Sequence, residues 1–102
     1  MISIAVNENT ENTVINLFKA ISSLDSAEEV SEFFEDLCTK RELIDMAQRF
    51  DTAVKLYNGE NYLNVSSKTG ISSATISRVN KCLKRKGGYV KTIEKLGLKN
   101  TD

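Results

Sequence analysis

A chain of 102 residues with 40% hydrophobic and 27% charged content is sized and composed for one folded domain of ordinary globular type. It has no histidine and no proline, and Cys38 and Cys82 lie too far apart for a local metal pair. Acid–base or metal catalysis therefore lacks its usual side chains, and neither an enzyme nor a metal site is expected. The formal charge of zero hides a division: residues 1–60 carry five basic against twelve acidic side chains (−7), and residues 61–102 carry nine against two (+7).

No apolar run approaches the ~18 residues of a membrane span, and MISIAVNENTEN lacks the basic start of a signal peptide. A cytoplasmic protein with no membrane partner is expected. Both cysteines adjoin apolar residues, Leu37 and Leu83, which suits reduced, partly buried thiols.

In chain order, residues 1–10 show no apolar period and read as a flexible arm. From Glu11 to Leu24 the apolar residues Val14, Leu17, Phe18, Ile21 and Leu24 recur at helical spacing. Ser26 with Glu29 is a capping box, opening a helix with Val30, Phe33, Phe34 and Leu37 on one face. The opposite face, Glu28, Glu32, Glu35 and Asp36, suits solvent rather than chemistry, since no histidine or glycine loop accompanies it. Thr39 with Glu42 repeats the box and begins the longest helix, Lys40 to about Tyr57. Its stripe is Leu43, Met46, Ala47, Phe50, Ala53, Val54 and Tyr57. Ile44 and Leu56 add apolar surface beyond that stripe, which calls for a second partner.

After Asn58-Gly59 comes the segment YLNVSSKTGISSATISRVNKCLK, Tyr62 to Lys84. Gly70 closes one short helix, because glycine adopts the left-handed end conformation without a Cβ penalty. Ser72 or Ser73 caps a second helix running to about Lys86, where Gly87 and Gly88 stop it. Val65 points inward from the first helix, Ile71 fills the corner, and Ile76, Val79 and Leu83 line one side of the second. This is a helix-turn-helix pattern over about residues 62–86. An ordinary helical hairpin with a solvated basic face shares part of it.

The other side of the second helix carries Ser72, Ser73, Ala74, Thr75, Ser77 and Arg78, short groups and one arginine that can approach base edges. Lys81, Lys84, Arg85 and Lys86, with Lys68 on the first helix, suit phosphates. Lys81 fits either role. The basic half of the chain is the half that holds this motif, as a double-stranded DNA partner requires. Tyr89, Val90, Ile93 and Leu96 outline a last helix ending at Gly97, and residues 98–102 read as a frayed tail. About six helices and no strand signal make the fold class all-α, a single domain over residues 11–97.

The blocks FFEDLCTKRELIDMAQRF, NGE and TGISSATISRVNKCLK, in this order, resemble the Trp repressor superfamily, particularly its Trp-repressor-related YerC/YecD group of bacterial helix-turn-helix proteins. The resemblance covers about Leu17 to Leu96. It implies a Trp-repressor-like, intertwined homodimer whose recognition helices enter successive major grooves about 34 Å apart, on a palindromic operator. It also implies an effector pocket at Thr39, Arg49 and Arg78, positions matching the residues that hold tryptophan in Trp repressor. There, glycine follows the second arginine; here Val79 fills that space, which speaks against tryptophan while leaving room for another small-molecule corepressor. No cofactor is otherwise expected.

Each pocket residue has a plainer role too: Thr39 as a helix cap, Arg49 as a partner for Asp45 one turn back, Arg78 at DNA. The expected function is a sequence-specific DNA-binding transcription regulator, a repressor acting by occlusion. The competing expectation is a protein-interaction module with only non-specific DNA affinity.

Overall fold

The computed structural model describes residues 7–99, and among them it contains six helices: α1 Glu8–Ser22, α2 Ala27–Leu37, α3 Lys40–Tyr57, α4 Tyr62–Thr69, α5 Ser73–Lys84 and α6 Gly88–Leu96. No strand occurs among the described residues, so the fold is all-α. The helices group into two compact units, the first ending at Thr39 and the second beginning at Lys40. Burial explains the division: no residue of α1 or α2 is buried, whereas α3 to α6 share a core. The boundary also separates charge. Residues 1–39 carry one lysine against eight carboxylates, and residues 40–102 carry thirteen basic side chains against six.

In the first unit, α1 begins earlier than its apolar stripe suggests. Asn7 caps it, its Oδ1 accepting from the Thr10 amide at 2.9 Å, while Glu8 and Glu11 meet the positive end of the helix. Residues 8–10 therefore form a first turn rather than part of an arm; a solvated first turn needs no apolar residue, so periodicity does not reveal it. Residues 1–6 lie outside the described residues. Ser26 caps α2 through a 3.1 Å bond from the Glu29 amide, and Glu29 reaches back one residue beyond the cap, accepting from the Asp25 amide at 2.5 Å.

In the second unit, α3 packs against α4, α5 and α6. Ala53, Val54, Val79 and Ile93 form the centre, with Phe50, Leu56, Leu83, Tyr89 and Leu98 around them. Full burial of each Val or Ile side chain contributes about 1.5–3 kcal/mol. Only the C-terminal half of α3 joins this core, since Leu43 and Ile44 remain 42% and 38% exposed. Two buried polar residues are satisfied inside α3: Thr52 Oγ1 donates to the Gln48 carbonyl at 2.8 Å, and Lys55 pairs with Asp51 at 2.9 Å.

The helix ends set the path of the chain. Gly97 is left-handed, its amide donates to Glu94 O and the Leu98 amide to Ile93 O, the two bonds of a Schellman motif. Leu98 packs on the core, so the tail is ordered at least that far, contrary to the fraying its polar neighbours suggest. Residues 100–102 are outside the described set. Helix α5 stops at Lys84 instead of running to Lys86. Its left-handed residue is Lys86 (φ 55°), whose amide donates to Leu83 O at 3.0 Å, and Gly88 is already the first residue of α6.

Candidate nucleic-acid interface

Helices α4 and α5 are fixed to each other through few atoms. Asn61 Oδ1 caps α4 by accepting from the Asn64 amide at 2.9 Å, and Val65, fully buried, anchors it. At the corner, Gly70 adopts φ 69° and the Thr69 hydroxyl donates to Val65 O at 2.7 Å while accepting from the Ile71 amide at 3.2 Å. One side chain thus stitches both sides of the turn. Ser72 then caps α5, its Oγ accepting from the Thr75 amide at 3.3 Å and its hydroxyl donating to Thr75 Oγ1 at 3.1 Å.

Burial orients α5. Ile76 and Val79 are buried and Leu83 half-buried, so the opposite side faces outward. Ser72, Ser73, Ala74, Arg78, Lys81 and Lys84 are exposed, as are Arg85 and Lys86 beyond the helix, while Thr75 and Ser77 are half-buried. The arrangement is short groups over the first turn, one arginine next, then lysines. Ser72 differs from its neighbours because its hydroxyl is already committed to the cap.

Four acids of this unit are held elsewhere. Asp45 takes Arg41 at 2.6 Å, Asp51 takes Lys55, Glu60 takes Lys68 at 2.5 Å, and Glu94 accepts from the Tyr57 hydroxyl at 2.7 Å. Among the described residues, Arg78, Lys81, Lys84, Arg85 and Lys86 have no ion pair, and Arg85 reaches only Cys82 Sγ at 3.7 Å. The positive charge around α5 is therefore not paired with a carboxylate among the described residues. Lys68, grouped with the phosphate ligands from sequence, pairs with Glu60 across eight residues, a pairing that helical spacing cannot announce. Asp45 takes its ion pair from Arg41, whose hydrogen bond does most to hold the carboxyl below the usual range, with the charges of Arg41 and Arg49 adding to it.

Arg49 and Arg78 nevertheless line one cleft, together with Thr75, Val79, Cys82 and Tyr89; its volume is about 320 Å³, at the small end of the range for ligand pockets. A second cleft of about 280 Å³ shares Arg49 and Thr75 and adds Asp45, Gln48, Ile71 and Ser72. Val79 serves the core and the cleft wall together, being 2% exposed. Thr39 ends the first unit and is exposed. Cys82 and Tyr89 were absent from the sequence-based pocket. Cys82 follows Arg78 by one helical turn and could have been found; Tyr89 arrives on α6, packing 6.3 Å from Phe50, and no local spacing points to it.

Both cysteines are free and half-buried, and no group of three or more His, Cys, Asp or Glu among the described residues could hold a metal ion. No helix among them is long and apolar enough to cross a membrane.

Comparison with known proteins agrees with this geometry. The Trp repressor protein family model matches residues 12–96. YerC of Bacillus subtilis (strain 168), an uncharacterized protein, is 48% identical over 67 residues, 66% of this chain, and the match spans 64% of that relative's length. Among solved structures, a TrpR-like protein from Eubacterium eligens ATCC 27750 matches with a TM-score of 0.79 at 44% identity, over 86% of this chain and 92% of its own. A candidate Trp repressor from Staphylococcus aureus matches with a TM-score of 0.81 at 30% identity, over 97% of this chain and 100% of its own. The chain belongs to the Trp repressor protein family, a family of DNA-binding regulators.

Proposed function

We propose that this chain is a sequence-specific transcription regulator that binds a palindromic operator in double-stranded DNA as a homodimer and represses by occlusion. The observation that carries the reading is the outward side of α5: small exposed groups at its start, one unpaired arginine behind them, and a run of unpaired cations at its end. Ser73, Ala74 and Arg78 approach base edges, with Ser72, Thr75 and Ser77 beside them. Lys81, Lys84, Arg85 and Lys86 hold phosphates. Occlusion involves no bond-making, so this reading requires no catalytic group, and its place of action is the cytoplasm.

Homodimer formation is supported by the apolar sides of α1 and α2, which bury no residue within the chain, and by exposed Leu37, Leu43 and Ile44. A two-fold pair of recognition helices about 34 Å apart then matches two half-sites. The cleft between Arg49 and Arg78 is the place for a small-molecule corepressor, and Val79 in its wall argues against tryptophan as that molecule.

A salt titration with duplex DNA tests the base-reading claim. Arg78→Ala should weaken binding by about 1–3 kcal/mol and relax base preference, whereas Lys84→Ala should weaken all sequences alike and lower the salt slope by about one. Uniform weakening by both variants would favour the interaction-module reading with non-specific DNA affinity.

A further inference from the structure

We infer that Glu60 and Lys68 form a brace that positions α4, and through it α5, so that Lys68 acts on DNA recognition from behind rather than as a phosphate ligand; the inference rests on the DNA-binding reading above. Helix α4 has eight residues and buries only Val65, too little for an isolated helix to hold its own place. Lys68 is in its last turn, and Glu60 precedes its cap. A contact over eight residues exceeds the one-turn reach of helical neighbours, so the chain before Asn61 must fold back beside the helix. It does so because the Glu60 amide donates to Lys55 O at 3.1 Å, which fixes Glu60 to the end of α3. The pair therefore ties the last turn of α4 to the C-terminus of α3, the helix against which α5 also packs.

The carboxylate makes this tie hard to give up. The Glu60 side chain is 12% exposed; Oε1 takes the Lys68 ammonium and Oε2 is buried without a hydrogen-bond partner. A buried charge deprived of its partner is strongly destabilising, whereas one exposed phosphate contact contributes modestly and is screened by salt. Turning Lys68 toward DNA would exchange the stronger interaction for the weaker one. Lys68 also lines a cleft with Gln48, Asp51, Lys55 and Thr69, so its stem fills space beside α3.

The test compares the full chain with Lys68→Ala, Glu60→Gln, the double variant and the exchanged pair Glu60→Lys/Lys68→Glu, each verified as folded by circular dichroism, on duplex DNA across a salt series. Lys68→Ala should lower affinity about tenfold, in the range of coupling between contacting residues, with the salt slope unchanged. Most of that loss should return in the exchanged pair, which restores the tie, whereas the double variant, which has none, should lose no more than Lys68→Ala alone. A slope lowered by about one, with the same loss whether residue 60 is Glu or Gln, would make Lys68 a phosphate ligand and overturn the brace. If the unaltered chain binds no duplex, the DNA reading fails on its own. The brace is then decided by thermal midpoints, where non-additive effects of Glu60→Gln and Lys68→Ala support it and additive effects refute it.

Discussion

Single side chains divide the second unit into a structural side and a recognition side. Arg78 has both a cleft and open solvent within reach and no acidic partner among the described residues, which leaves its guanidinium available to a base edge or to an effector. Tyr57 shows the opposite situation. Its hydroxyl donates to Glu94 Oε2 at 2.7 Å, and that hydrogen bond, aided by partial burial and by repulsion from the carboxylate, raises the phenol above its ordinary value. A raised value in the folded state means that the contribution to stability is full below the ordinary tyrosine range, about 10, and is lost as pH rises through the folded value. Tyr57→Phe should therefore lower the thermal midpoint near neutral pH, and the difference from the unaltered chain should close in strongly alkaline buffer. A gap that stays constant with pH would mean that the hydroxyl contributes nothing through Glu94.

At the scale of elements, helix ends decide the geometry of the reading head, and they differ in how openly the sequence displays them. Gly70, the Ser26–Glu29 pair and the serines before α5 are recognisable because capping chemistry is local, needing residues within three positions of each other. The inward positions Val65, Ile76 and Val79 are equally legible from their spacing. The Lys86 turn is not: two glycines follow it, yet the lysine takes the left-handed place. Leu98 was hidden for a similar reason, since its value comes from a core assembled by α3, α5 and α6 and not from its polar neighbours. The Glu60–Lys68 pair and Tyr89 in the cleft likewise depend on how separate segments come together.

These ends yield two opposed predictions. Gly70→Ala should cost about 1 kcal/mol, because φ is 69° and an added Cβ meets nothing within 4 Å, so the cost is backbone alone. Lys86→Gly should raise stability by about 1 kcal/mol by relieving the left-handed lysine, while removing one cation from the DNA side. Denaturant unfolding of both variants checks the pair; a destabilised Lys86→Gly would show that the lysine side chain holds the turn.

The molecule as a whole sorts its charge and its apolar surface into different units. The first unit is acidic and buries no helical residue within the chain, and the second is basic with four of its acids held by internal partners. On the proposed function, the basic second unit is the one that attracts DNA and the acidic first unit is the one that repels it. On the proposed homodimer, the apolar sides of α1 and α2 and the exposed Leu43 and Ile44 of α3 are the surface a second copy would cover. Sedimentation should give twice the 11.4 kDa chain mass, and Leu43→Glu should return it to the single-chain value. An isolated chain would tolerate that exposed substitution within about 0.5 kcal/mol and sediment unchanged.

The central claim, a dimeric sequence-specific DNA binder, is tested most directly by selecting bound duplexes from a random DNA pool with the purified protein at moderate salt, with and without tryptophan. The account predicts a palindromic consensus with half-sites one helical turn apart, enriched equally in both conditions. A consensus that emerges only with tryptophan would show that Val79 leaves the cleft open to it. No consensus in either condition, with affinity collapsing as salt rises, would contradict sequence-specific binding by the chain acting without an effector.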